Sequence, residues 1–169
     1  MEQMDLQQFT NYAFSHIGKV EVLEHQPLYD TLEISNKLGR ARFFEMPMGT
    51  GKKTHQDTNL YLPGTLPAPQ CFFVKGISLC IVDGIGPMEF YKSVVTFLIG
   101  SKVYLTYSPL SPFLVNPMEL RIIQGFSVSL GIMISQYFSL EVDVSNLPYK
   151  MKPFSLRCQL SGYFYRAVQ

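Results

Sequence analysis

Three imidazoles, His16, His25 and His55, limit any acid–base or metal chemistry in this chain of 169 residues, because histidine is the side chain that changes charge near neutral pH. His55 stands two residues before Asp57 in "THQD", the residue types of a base held by a carboxylate. Two positions apart on an extended loop, however, the side chains lie side by side, which does not orient the ring. No Gly-x-Ser-x-Gly elbow or similarly marked nucleophile accompanies them. The expectation is a solvated histidine and a chain without catalytic function.

The stretch "PMGTGKKTHQDTNLYLPGTLPAPQ", residues 47 to 70, begins like a phosphate-binding loop, which needs a glycine, four residues and then Gly-Lys-Ser/Thr leading into a helix. Lys53 occupies the hydroxyl position and Met46 the position of the first glycine. Pro63, Pro67 and Pro69 forbid a following helix. The segment therefore reads as a connector, with Pro67 and Pro69 holding the entry to a strand at residue 71 extended. Asp57 and Asn59 are oxygen donors of the type calcium uses. Glu141 and Asp143 are paired carboxylates on one strand face, and an outward polar face is their ordinary explanation. Cys71, Cys80 and Cys158 match no metal spacing and no disulfide framework; they read as small apolar residues in a reducing compartment. No cofactor or metal is expected.

What must position these residues is a set of strands, because two-residue alternation dominates the chain. Phe126, Val128, Leu130, Ile132 and Ile134 alternate with Ser127, Ser129, Gly131, Met133 and Ser135. Phe138, Leu140, Val142 and Val144 alternate with polar residues, and so do Phe154, Leu156, Cys158 and Leu160. Residues 19–23, 27–34, 40–46 and 71–82 read as further strands, with Gly76 a bulge or close-packing point. Gly100-Ser101 joins strands 94–99 and 102–107 as a two-residue hairpin. About eight to ten strands result, the pattern of a sandwich or barrel. Helix is scarce. Leu6, Phe9, Ala13 and Ile17 share one face of residues 4 to 17, which form either an arm that docks on a partner or a helix lying on the chain's own sheet. Asn116-Pro117 with Glu119 resembles a helix start of one or two turns before Gly125. The organisation expected is an N-terminal arm or amphipathic helix at 1–18 and one all-β domain at 19–169.

Charged residues make up 16% of the chain against a usual value of about 25%, so part of the surface is expected to be covered by other protein. A net charge of +1 with no basic run beyond Lys52-Lys53 disfavours direct nucleic-acid binding. The first residues carry no basic segment leading into an apolar run, and no stretch reaches the roughly 18 apolar residues that cross a bilayer. Tyr163, Phe164 and Tyr165 are dense aromatics without alternation. They would stack sugars if exposed, but they read better as packed between two protein surfaces.

From residue 40 onward, "DTNLYLPGTLPAPQCFFVKGISL", "FLIGSKVYL" and the closing "LSGYFYRAVQ" resemble segments of capsid structural proteins from icosahedral bacterial viruses, with the tailless, membrane-containing phages the favoured subgroup. The resemblance implies an all-β jelly-roll β-barrel or sandwich. It implies a coat, penton or minor capsid subunit, made in the host cytoplasm and located in the virion. Its partners would be copies of itself, other capsid proteins and an internal viral membrane. The candidate interface residues are Leu6, Phe9, Ile17, Pro67, Pro69, Tyr163 and Tyr165, with the loop before residue 71 at a subunit boundary. The alternative is a carbohydrate-binding or host-attachment β-sandwich module using Tyr163 and Tyr165.

Overall fold

A computed structural model describes residues 4–37, 39–87, 89–90, 93–107 and 122–169. Alternation dictates its architecture. Along β8 (Phe138–Asp143), Phe138, Leu140 and Val142 are buried while Ser139, Glu141 and Asp143 look outward. Along β9 (Phe154–Ala167), Phe154, Leu156, Cys158 and Leu160 are buried in the same way. Strands with one apolar face must stack those faces, and two antiparallel sheets do so here. One holds β1 (Val20–Leu23), β2 (Leu28–Ile34), β9, β4 (Cys71–Asp83) and β7 (Ile122–Ile132). The other holds β3 (Arg40–Phe43), β8, β5 (Val95–Ile99) and β6 (Lys102–Tyr107). Phe43, Phe72, Phe97, Leu140, Phe154 and Leu156 form the heart of the core between them. The result is an all-β sandwich.

The strands pair as a nested ribbon. β5 and β6 form the central hairpin across Gly100, whose φ of 62° suits glycine. Outside it β4 pairs β7, then β3 pairs β8, and finally β1 and β2 both pair β9, all antiparallel. β1 lies against the C-terminal part of β9 and β2 against its N-terminal part. The two act as one edge strand broken at residues 24–27, where Pro27 cannot donate to a ladder. The expected irregularity at Gly76 is present as a register shift between Val74 and Gly76.

One expectation lies outside the described residues and one is corrected. The helix start expected at Asn116-Pro117 falls on residues that are not described, and from Ile122 the chain is strand, because Ile122 and Ile123 pair with Cys80 and Leu79. The entry to β4 is not extended. The Ala68–Pro69 bond is cis, and the Gln70 N–H donates to the Pro67 carbonyl at 2.9 Å, closing the kind of turn that takes a cis proline at its third position.

A third layer is the helix α1 (Leu6–Ile17). Asp5 caps it by accepting from the Gln8 N–H, while the Gln8 side chain accepts from the Asp5 N–H, a reciprocal pair that satisfies two otherwise orphaned donors. Gly18, at φ 87°, ends it. Of the two readings of this segment, the helix lies on the chain's own sheet. Phe9 and Ala13 are fully buried against Cys71, Phe73 and Tyr165 on the outer face of β4 and β9. Gly131 in β7 makes the room, since a Cβ there would stand 2.6 Å from the Phe9 ring.

Candidate functional site

Among the described residues, the most elaborately held polar structure is the long connector between β3 and β4, residues 44 to 70, where it crosses β2. Its root is Asp30. On β2 the inward positions are Leu28, Asp30, Leu32 and Ile34, so the strand places a carboxylate where its neighbours are apolar, and Asp30 has no exposed surface. A buried charge needs partners. Two arrive from the connector. Phe44, held at φ 72° just past the end of β3, donates its N–H to Asp30 Oδ2 at 2.6 Å. Lys53, its side chain only 11% exposed, places Nζ on Asp30 Oδ1. Burial pushes the Asp30 carboxyl above its ordinary range, and the Lys53 and Phe44 contacts oppose that shift. Cys158, the cross-strand neighbour of Asp30, is buried as well, and its thiol is pushed well up by burial and by the nearby carboxylate.

Around this pair the connector is fastened along its length. Tyr29 donates its hydroxyl to the His55 carbonyl at 2.6 Å, and its N–H to Asn59 Oδ1 at 2.9 Å. Asn59 Nδ2 reaches the Pro27 carbonyl at 2.7 Å. Arg157 on β9 stacks over the Tyr29 ring, donates to Thr31 Oγ1 at 3.0 Å and also bonds the Gln56 carbonyl. A connector with this many anchors is ordered before any partner arrives, so binding to it costs little further entropy.

Beside it an open groove of about 600 Å³ runs between β2 and β3, lined in part by Glu33, Arg40, Arg42, Glu45 and Lys52. Its charges largely answer one another. Arg42 pairs with Glu141 at 2.7 Å and Glu45 at 3.3 Å, and Arg40 lies 3.7 Å from Glu141. Neither imidazole nor thiol lines it, so what it offers is charge and shape.

The residues singled out for chemistry do not converge. His55 is exposed, while Asp57 accepts from the N–H and hydroxyl of Thr54 in a local turn. The two therefore form no dyad. Asn59 spends both ends of its amide on the backbone and has none left for a cation. Glu141 is held by the two arginines, and Asp143 accepts from the Ser145 hydroxyl and N–H, which holds its carboxyl below the usual range. Among the described residues no cluster of three or more His, Cys, Asp or Glu is placed to hold a metal. Cys71 and Cys158 are buried, Cys80 is half-buried, and all three are free; burial pushes the Cys71 thiol up to about 12. No helix among the described residues is long and apolar enough to cross a membrane.

The candidate interface residues divide. Phe9 has no exposed surface and Tyr165 only 2%; each covers the other, with ring centroids 5.3 Å apart and the Tyr165 hydroxyl 2.8 Å from Thr10 Oγ1. While α1 stays docked neither reaches another chain, which corrects their assignment. Tyr165 is closed to a sugar for the same reason. Ile17, the last residue of α1, is half-buried, Tyr163 is half-buried beneath the Lys75 ammonium, and Pro67 is half-buried. Leu6 and Pro69 remain exposed, as does Phe14 on the solvent side of α1. Asp30 was missed by sequence reasoning, although a charged residue at an inward position of an alternating strand was there to find it. The chain matches no protein-family model, no curated protein and no solved structure.

Proposed function

We propose that this chain is a structural subunit of an icosahedral viral shell, built on a jelly-roll barrel, without cofactor or catalysis, and acting through contacts with copies of itself and with companion capsid proteins. The observation that carries the reading is the nested pairing: β5 with β6, β4 with β7, β3 with β8, and β1 and β2 with β9, wound across two sheets. A ribbon of four antiparallel pairs rolled into two facing sheets is the connectivity of a jelly roll. The low charge supports it further. So does the placing of large apolar side chains in solvent at connectors and strand ends, where neighbours would cover them: Tyr61 is 66% exposed, Tyr137 65%, Ile85 75% and Tyr149 88%. In a closed shell, contacts that are individually weak are repeated by symmetry and become strong together.

The fastened connector is the boundary element in this reading, and Leu6 and Phe14 on α1 are a second contact. The test is to replace residues 50 to 58 with a Gly/Ser linker, and separately to make Leu6→Ser/Phe14→Ser, then compare particle formation by electron microscopy with melting temperature. Both changes are expected to suppress particles, and the α1 pair is expected to do so with little change in melting. Normal particles from both variants would remove the proposed contacts.

A further inference from the structure

We propose that Lys53 and Asp30 are the partners of an intramolecular amide bond, formed by the chain itself, that ties the connector covalently to β2. Four observations carry it. The carboxylate of Asp30 is wholly buried on the inner face of a rigid strand, and Lys53 Nζ sits on its Oδ1 from a segment 23 residues away in sequence. Such an ion pair has given up most of its hydration, and its attraction repays that cost only when the geometry is excellent. An ammonium has three protons to donate; among the described residues Lys53 Nζ gives one to Asp30 Oδ1, and Lys53 otherwise borders the open groove. A neutral amide has no charge to desolvate and needs fewer partners.

The second oxygen, Oδ2, receives the Phe44 N–H at 2.6 Å, from a residue held at φ 72°. A non-glycine residue in that region carries strain, which persists where surrounding structure imposes it. Here it aims one backbone donor at the oxygen on which negative charge would develop as an amine attacks the carboxyl carbon. Finally, Asp30 is fixed by the pairing of β2 with β9, and the connector that carries Lys53 is fastened just beyond it at His55, Gln56 and Asn59, so the encounter is effectively unimolecular.

The step balances without a co-reactant. A proton passes from Nζ to Oδ1 within their hydrogen bond, giving a neutral amine and a neutral acid. Burial favours the neutral acid, as it raises the Asp30 carboxyl. The Nζ lone pair then forms the bond to Cγ, and the displaced π pair rests on Oδ2, held by the Phe44 N–H. The tetrahedral centre collapses when the Cγ–Oδ1 bond breaks. Oδ1, already carrying one proton, takes a second from Nζ and leaves as water. Nothing is oxidised or reduced. The thiol of Cys158 also faces Asp30, and its raised proton affinity keeps it out of the exchange.

The inference does not depend on the assembly reading, since an isolated subunit would carry the bond. The experiment is intact-mass measurement of the purified full chain, fresh and after prolonged incubation at neutral pH, followed by proteolysis and fragmentation. The expected result is a chain lighter by one water and a branched peptide joining the segments that contain Asp30 and Lys53. In Lys53→Arg the water should be retained and the branched peptide absent. An unreacted mass after incubation would overturn the proposal. So would a lost water with no branched peptide, which would mark cyclisation elsewhere, for example at Asp83-Gly84. The wild-type chain decides the matter even if the variant fails to fold.

Discussion

The two apolar clusters of this molecule are built by different rules. Between the sheets, each strand contributes every second residue, and Phe97, Leu140 and Leu156 interlock from opposite sides. Under α1 the same strands are apolar on their outer face too: Cys71 and Phe73 on β4, Tyr163 and Tyr165 on β9, while the intervening Phe72 and Phe164 point into the core. A strand covered on both faces loses its alternation and reads as a continuous apolar run. That is why "CFFV" and "YFY" sit where they do. The helix converts part of a two-layer sandwich into three layers, and it does so with few residues and a glycine, Gly131, that gives way to one ring.

If this contrast is right, damage to the two clusters should differ in size and in reach. The largest effect is expected from Phe97→Ala, which opens a cavity in the inter-sheet core and should cost about 3–5 kcal/mol. Chemical denaturation should then show the whole fold melting together at lower denaturant. A smaller and more local effect is expected from Gly131→Ala, whose new methyl must push Phe9 aside at about 1–3 kcal/mol. Hydrogen exchange should increase in α1 while the core strands stay protected. In a Phe9→Ala background the same change should be nearly neutral, a coupling that a double-mutant cycle reads directly. The smallest is Tyr165→Phe, which removes the hydroxyl contact with Thr10 and should cost about 0.5–1.5 kcal/mol. Uniform loss of protection across both clusters in Gly131→Ala would show that the helix is part of one core and not a separable cover.

Much of the inner cluster was legible from sequence because its strands are covered on one face, so burial writes a period of two into the residues. The hairpin at Gly100 was legible because glycine marks backbone that other residues resist, and the bulge at Gly76 because a glycine interrupts an apolar strand run. The outer cluster was legible only as an anomaly. Its aromatics announced a second surface without saying whose, and the sequence does not reveal that α1 folds back after Gly18 onto its own sheet. The connector was harder still. Asp30 betrays itself by its inward position, but Lys53 reaches it through a loop without periodicity, so nothing in the spacing joins the two. The turn at Pro67–Gln70 was misread because prolines limit a chain without specifying which bend it takes.

On the proposed reading, this sandwich is made to be covered by others of its kind. Light scattering of the purified full-length chain across a wide concentration range, with electron microscopy of the same samples, tests it most directly. Concentration-dependent rings, trimers or closed shells are expected. A chain that stays monomeric at every concentration, with its exposed tyrosines in water, would contradict it.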